Sequence, residues 1–137
     1  MNAPESRETA LLCVRFALEK KAYDLVVLDV RGLTSLADYF VVCTGRPDTQ
    51  VQAIAQSVDE SLCKMGCHPI SREGYGTGHW VLIDFADVIV HVFYEPVREY
   101  YDLERLWGHA PRLALPEPYR SQAQEYRLVA EANRQRI

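Results

Sequence analysis

The chain has 137 residues, a formal net charge of -4, and 48% hydrophobic and 25% charged side chains, the balance of a soluble domain large enough for one core. Gripping nucleic acid through its phosphates calls for a basic surface, so the acidic balance argues against RNA or DNA as the main partner. No apolar run approaches the roughly 20 residues needed to cross a bilayer, and the opening MNAPESRETA has neither a basic start nor an apolar segment. No membrane partner or secretion signal is expected, and the expected location is the cytoplasm.

From Glu5 to Ala22, Leu11, Val14 and Leu18 recur at helical spacing, with Pro4 suited to the first turn. Leu25 to Val30 reads as a short buried strand and Tyr39 to Thr44 as a second. Val51, Ile54, Val58, Leu62 and Met65 then step along one helix face; Asp48 or Thr49 is suited to cap this helix and Gly66 to end it. Pro69 to Glu73 fits a short strand, followed by a flexible glycine-rich loop from Gly74 to Gly78.

Two runs rich in β-branched and aromatic residues come next, Trp80 to Phe85 and Val88 to Tyr94, separated by Ala86 and Asp87. They predict a hairpin. With Ala86 and Asp87 as its loop, Val81, Ile83 and Phe85 face Val92, Val90 and Val88 on one wholly apolar side. The other side carries Trp80, Leu82 and Asp84 beside Ile89, His91 and Phe93. Burial accounts for the first side; the second, mixing aromatics with a carboxylate and an imidazole, has the composition of a surface that is used.

Pro96 opens a final helix expected to run through Trp107. Pro111, Pro116 and Pro118 disfavour regular structure beyond it, so the folded unit is expected over residues 1–115. Residues 116–137 are expected to form a tail, helical or partly disordered. The order of elements predicts an α/β fold with a mixed sheet and helices mainly on one face.

The four cysteines, at positions 13, 43, 63 and 67, read as free thiols. Cys63, Cys67 and His68 lack the paired ligand spacing of a structural zinc site. Gly74, Gly76 and Gly78 do not form a phosphate loop leading into a helix and read as a mobile rim beside the hairpin. His91 can approach Asp84, with Cys43 a conceivable nucleophile nearby, but the ordinary alternative is that Asp84 and His91 satisfy one another or loop backbone. No catalytic group, metal or cofactor is assigned. Tyr100, Tyr101 and Trp107 within the last helix combine aromatics with flanking charge, as interface anchors do, although core packing accounts equally for Trp107 and Leu103.

Residues 29–31, 37–45, 78–85, 87–93 and 98–107 (DVR, ADYFVVCTG, GHWVLIDF, DVIVHVF and REYYDLERLW) resemble the ribosomal silencing factor, or Iojap-related, family. The resemblance implies a fold related to nucleotidyltransferases but without their catalytic residues. It implies a non-enzymatic translation repressor that binds the large ribosomal subunit at the protein L-fourteen and blocks association with the small subunit. The contact surface expected from it is Trp80, Asp84, His91, Phe93, Tyr100, Tyr101 and Glu104, with Trp80 supplying apolar area and Asp84 and Glu104 meeting lysine or arginine. Two other functions are weighed: a nucleotidyltransferase-like enzyme or nucleotide-binding protein, and a homodimeric scaffold. Ala86 departs from the family, which usually has glycine there.

Overall fold

The computed structural model describes residues 5–135. In chain order it contains α1 (Ser6–Leu18), β1 (Tyr23–Asp29), β2 (Tyr39–Gly45), α2 (Asp48–Lys64), β3 (Ser71–Glu73), β4 (Trp80–Asp84), β5 (Val88–Tyr94), α3 (Glu95–Tyr101), α4 (Leu103–Leu106) and α5 (Tyr119–Arg134). The strands form one sheet in the order β1-β2-β5-β4-β3. Only β2 and β5 run parallel, so the sheet is mixed, as the spacing of strands and helices predicts.

The hairpin forms in the predicted register, with Val81 opposite Val92 and Ile83 opposite Val90. These residues join Val27, Val41 and Cys43 on the sheet face that meets Val14, Ala17 and Leu18 of α1 and Val51, Ile54, Val58 and Leu62 of α2. Strict alternation along the strands therefore sends one set of side chains into the main core and leaves the other set to the opposite face. That opposite face holds a second, smaller core of Leu28, Val30, Phe40, Val42, Ile89 and Phe93, against which Trp80, Leu82, Val97, Leu103 and Trp107 pack.

The turn itself is strained. Ala86 has φ 74°, and the Asp87 N–H donates to the Phe85 carbonyl at 3.1 Å. An i-to-i+2 bond about a residue of positive φ is the pattern of a γ-turn. The Asp84 carboxylate braces it by accepting the Ala86 N–H at 2.8 Å.

Four local expectations change. α1 ends at Leu18 instead of Ala22, and Pro4 lies outside the described residues. The cap of α2 is Pro47, without a side-chain hydrogen bond; Asp48 only accepts the N–H of Thr49 next to it. Gly66, at φ 86°, does end that helix. The single helix expected through Trp107 is two, because Asp102 takes the left-handed conformation at φ 44° and ψ 56°; Asp is one of the few residues that visits this region at modest cost.

The fourth change concerns the glycine-rich loop, which is pinned instead of mobile. The Gln52 amide of α2 donates to the Tyr75 carbonyl at 2.7 Å, and the Tyr75 hydroxyl donates to Asp59 at 3.0 Å. Gly74, at φ 86°, lies so close to β4 that a Cβ there would come within 1.9 Å of the Trp80 carbonyl oxygen. The loop thus fixes the backbone that carries Trp80.

The proline-rich segment runs beside β1, where Leu113 N–H donates to Val27 O at 2.8 Å and Asp29 N–H to Pro111 O at 2.8 Å. Beyond it, α5 folds back on the molecule. Tyr119, Ala123 and Tyr126 pack on the main core, and Arg134 pairs with Asp24 at 2.7 Å and with the buried carboxylate of Glu95. None of the described helices is long and apolar enough to cross a membrane.

Candidate functional site: an aromatic face on the hairpin

Alternation along β4 and β5 puts Trp80, Leu82 and Asp84 opposite Phe93, His91 and Ile89. Cross-strand neighbours this close stack readily, and the Trp80 and Phe93 rings lie 4.8 Å apart at 30°. From above, Tyr101 of α3 comes to 4.9 Å from Trp80 and meets Tyr100 edge-on at 5.1 Å. The aromatic group is therefore built from the hairpin and the end of α3, just before the break at Asp102.

The seven predicted contact residues divide by depth. Tyr100 and Tyr101 are 83% and 53% exposed, and Trp80 is half-buried. Phe93 has no exposed surface and His91 only 5%, so neither ring is presented at the surface of this fold; they form the floor beneath Trp80. The helices after β5, with Val97, Leu103 and Trp107, cover that floor.

The two acids are engaged internally. Asp84 braces the γ-turn at the far end of β4, about 13 Å along the strand from Trp80 at ordinary strand rise. Glu104 accepts from Arg98 at 2.8 Å and lies 3.6 Å from Arg112. Leu82, on the same side between Trp80 and Asp84, belongs to the face as well, and the period-two alternation already contained it. Leu106 of α4 is 76% exposed, a position that only the helix break makes visible.

His91 does not pair with Asp84. Its Nδ1 accepts the Trp80 indole N–H at 3.1 Å, while its buried Nε2 has no partner among the described residues. Burial lowers the imidazole pKa to about 4, so the ring is neutral at neutral pH. Cys43 is no neighbour: it pairs with Val92 and belongs to the main core on the opposite sheet face. Burial pushes its thiol up to about 12, far from the range of a nucleophilic thiolate. Among the described residues no three His, Cys, Asp or Glu side chains gather as a metal site.

Fold and face together define a small mixed α/β protein that presents a partly exposed aromatic cluster on one side of its sheet. The sequence matches the family model described as "Ribosomal silencing factor during starvation" over residues 3–136. It is 45% identical over 93 residues to the ribosomal silencing factor of Bacillus subtilis, covering 68% of this chain and 79% of that one. A crystal structure of a Chromobacterium violaceum protein superposes with a TM-score of 0.75 at 38% identity, covering 85% of this chain and 98% of that one. A more distant relative, the mouse "Mitochondrial assembly of ribosomal large subunit protein 1", is 25% identical over 99 residues, 70% of this chain and 43% of that one. The chain belongs to the ribosomal silencing factor family.

Proposed function

We propose that the protein lowers translation in the cytoplasm by docking on the large ribosomal subunit, at the protein L-fourteen, and sterically preventing the small subunit from joining. No bond is made or broken. The observation that carries this reading is the group of Trp80, Tyr101 and Tyr100, offered partly exposed on the buried floor of Phe93 and His91. Aromatic anchors of this kind dominate the energy of protein interfaces. The family description and the name of the mouse relative, which ties that protein to large-subunit assembly, support the choice of partner.

Charge supports a protein contact over an RNA contact. A chain of net charge -4 is steered toward a basic ribosomal protein and repelled by bare phosphate. A contact of ordinary size, about 1,600 Å² in total, is sufficient for specific binding. Blocking then needs only that the occupied patch be one the small subunit must reach. The test is sedimentation of purified large and small subunits mixed with and without saturating protein. Separate subunit peaks in its presence support the reading; undiminished joining contradicts it.

A further inference from the structure

The segment Val88–Tyr94 reads VIVHVFY, and His91 is its one interior polar residue. Val42 lies beside it in β2 and Leu82 opposite it in β4. Phe40 meets its ring edge-on at 5.3 Å, and Phe93 lies nearly parallel at 6.2 Å. An apolar side chain suits every one of these neighbours. A histidine here leaves Nε2 buried without a partner among the described residues, which is destabilising for a group removed from water. Departures of this kind from local packing rules tend to sit where function requires them.

What the histidine provides is one acceptor. Its Nδ1 receives the Trp80 indole N–H at 3.1 Å, which assigns the proton of the neutral ring to the unpartnered Nε2. Phenylalanine or leucine at this position packs equally well and accepts nothing. The indole is stacked on Phe93, bonded at its edge to His91 and 4.9 Å from Tyr101, and it remains half-buried.

We infer that His91 is a positioning residue: it fixes the Trp80 indole before the partner arrives, at the expense of its own buried Nε2–H. This rests on the reading of the aromatic face as the large-subunit contact. An anchor that is ordered in advance loses less rotamer freedom on docking, an advantage of about three- to tenfold in affinity for one such side chain.

The test compares His91→Phe, His91→Asn and Trp80→Ala in binding to purified large subunits, with thermal melting and the Trp80 indole N–H proton resonance (identified by its disappearance in Trp80→Phe) as further readouts. In His91→Phe the melting temperature is expected to hold or rise while affinity falls about three- to tenfold, and the indole N–H is expected to shift and exchange faster with water. Asparagine can present an oxygen near the place of Nδ1, so His91→Asn is expected to retain the indole resonance and most of the affinity even at a lower melting temperature. A merely structural role moves stability and affinity together. The inference is overturned if His91→Phe binds like the parent while Trp80→Ala does not, or if folded His91→Asn loses as much affinity as His91→Phe. If Trp80→Ala itself binds like the parent, the reading of the face fails and the inference with it.

Discussion

The Arg98 guanidinium lies 2.8 Å from the Glu104 carboxylate and joins α3 to α4 across the left-handed residue Asp102. Arg98 also donates to the Asp24 carbonyl of β1 and to the Thr44 hydroxyl of β2 at 2.6 Å. One side chain thus ties the bent helical segment to two strands. Glu104 is the counter-ion of that tie, with little freedom left to meet a partner.

Removing one member of a largely buried pair strands the other. Glu104→Ala is therefore expected to cost about 2 kcal/mol of stability or more, with a smaller effect at Asp84, whose bond to the turn is at the surface. Urea denaturation of the two variants checks this ranking. An unchanged midpoint for Glu104→Ala rules out the structural role.

Ala86 adopts a backbone conformation that favours glycine. Ala86→Gly relieves the side-chain clash but makes the unfolded chain more flexible, and the net expectation is a gain of about 0.5–1 kcal/mol, visible as a rise of a few degrees in the melting temperature. The hairpin register and large-subunit binding should be unaffected.

His91 gives stability a defined pH dependence. Its pKa falls from 6.5 to about 4 on folding because burial disfavours the charged ring. The unfolded chain therefore takes up a proton first as pH drops. The folded state keeps its full margin above pH 6.5 and loses it between there and pH 4, by at most about 3 kcal/mol from this group. Carboxylates titrate in the same window, so the informative quantity is the difference between parent and His91→Phe: chemical denaturation at a series of pH values should show a flatter profile for the variant.

Arg134 holds the end of α5 against Asp24 and Glu95, and Glu95 also pairs with Arg46 at 3.4 Å. Arg134→Met should leave the apolar anchors of α5 in place but speed hydrogen exchange along its last turns. Glu95→Ala should do more, since it leaves two guanidinium groups without their shared carboxylate. Exchange mass spectrometry on α5 peptides resolves the two cases.

The hairpin was legible in the sequence because a period of two fixes which side chains share a face, and Val81, Ile83, Val90 and Val92 leave only one register that buries them all. What the sequence hid was depth. The local pattern left core packing and interface contact equally open for Leu103 and Trp107, and only the tertiary fold shows that with Val97 they turn back to cover Phe93 and His91. The break at Asp102 was equally invisible, because the helical spacing continues through it and the bend is held by Arg98 reaching strands more than fifty positions earlier in the chain. For α5 the anchors Tyr119, Ala123 and Tyr126 stood at helical spacing, but its clasp to Asp24 spans 110 positions and belongs to the tertiary fold alone.

The central claim, that the aromatic face meets a basic protein of the large subunit, is tested most directly by a photocrosslink from Tyr100, which is 83% exposed beside Tyr101. Replacing Tyr100 with p-benzoylphenylalanine and irradiating the complex with purified large subunits should join the chain to L-fourteen. Crosslinking to ribosomal RNA or to a different protein, with L-fourteen unlabelled, would contradict the account.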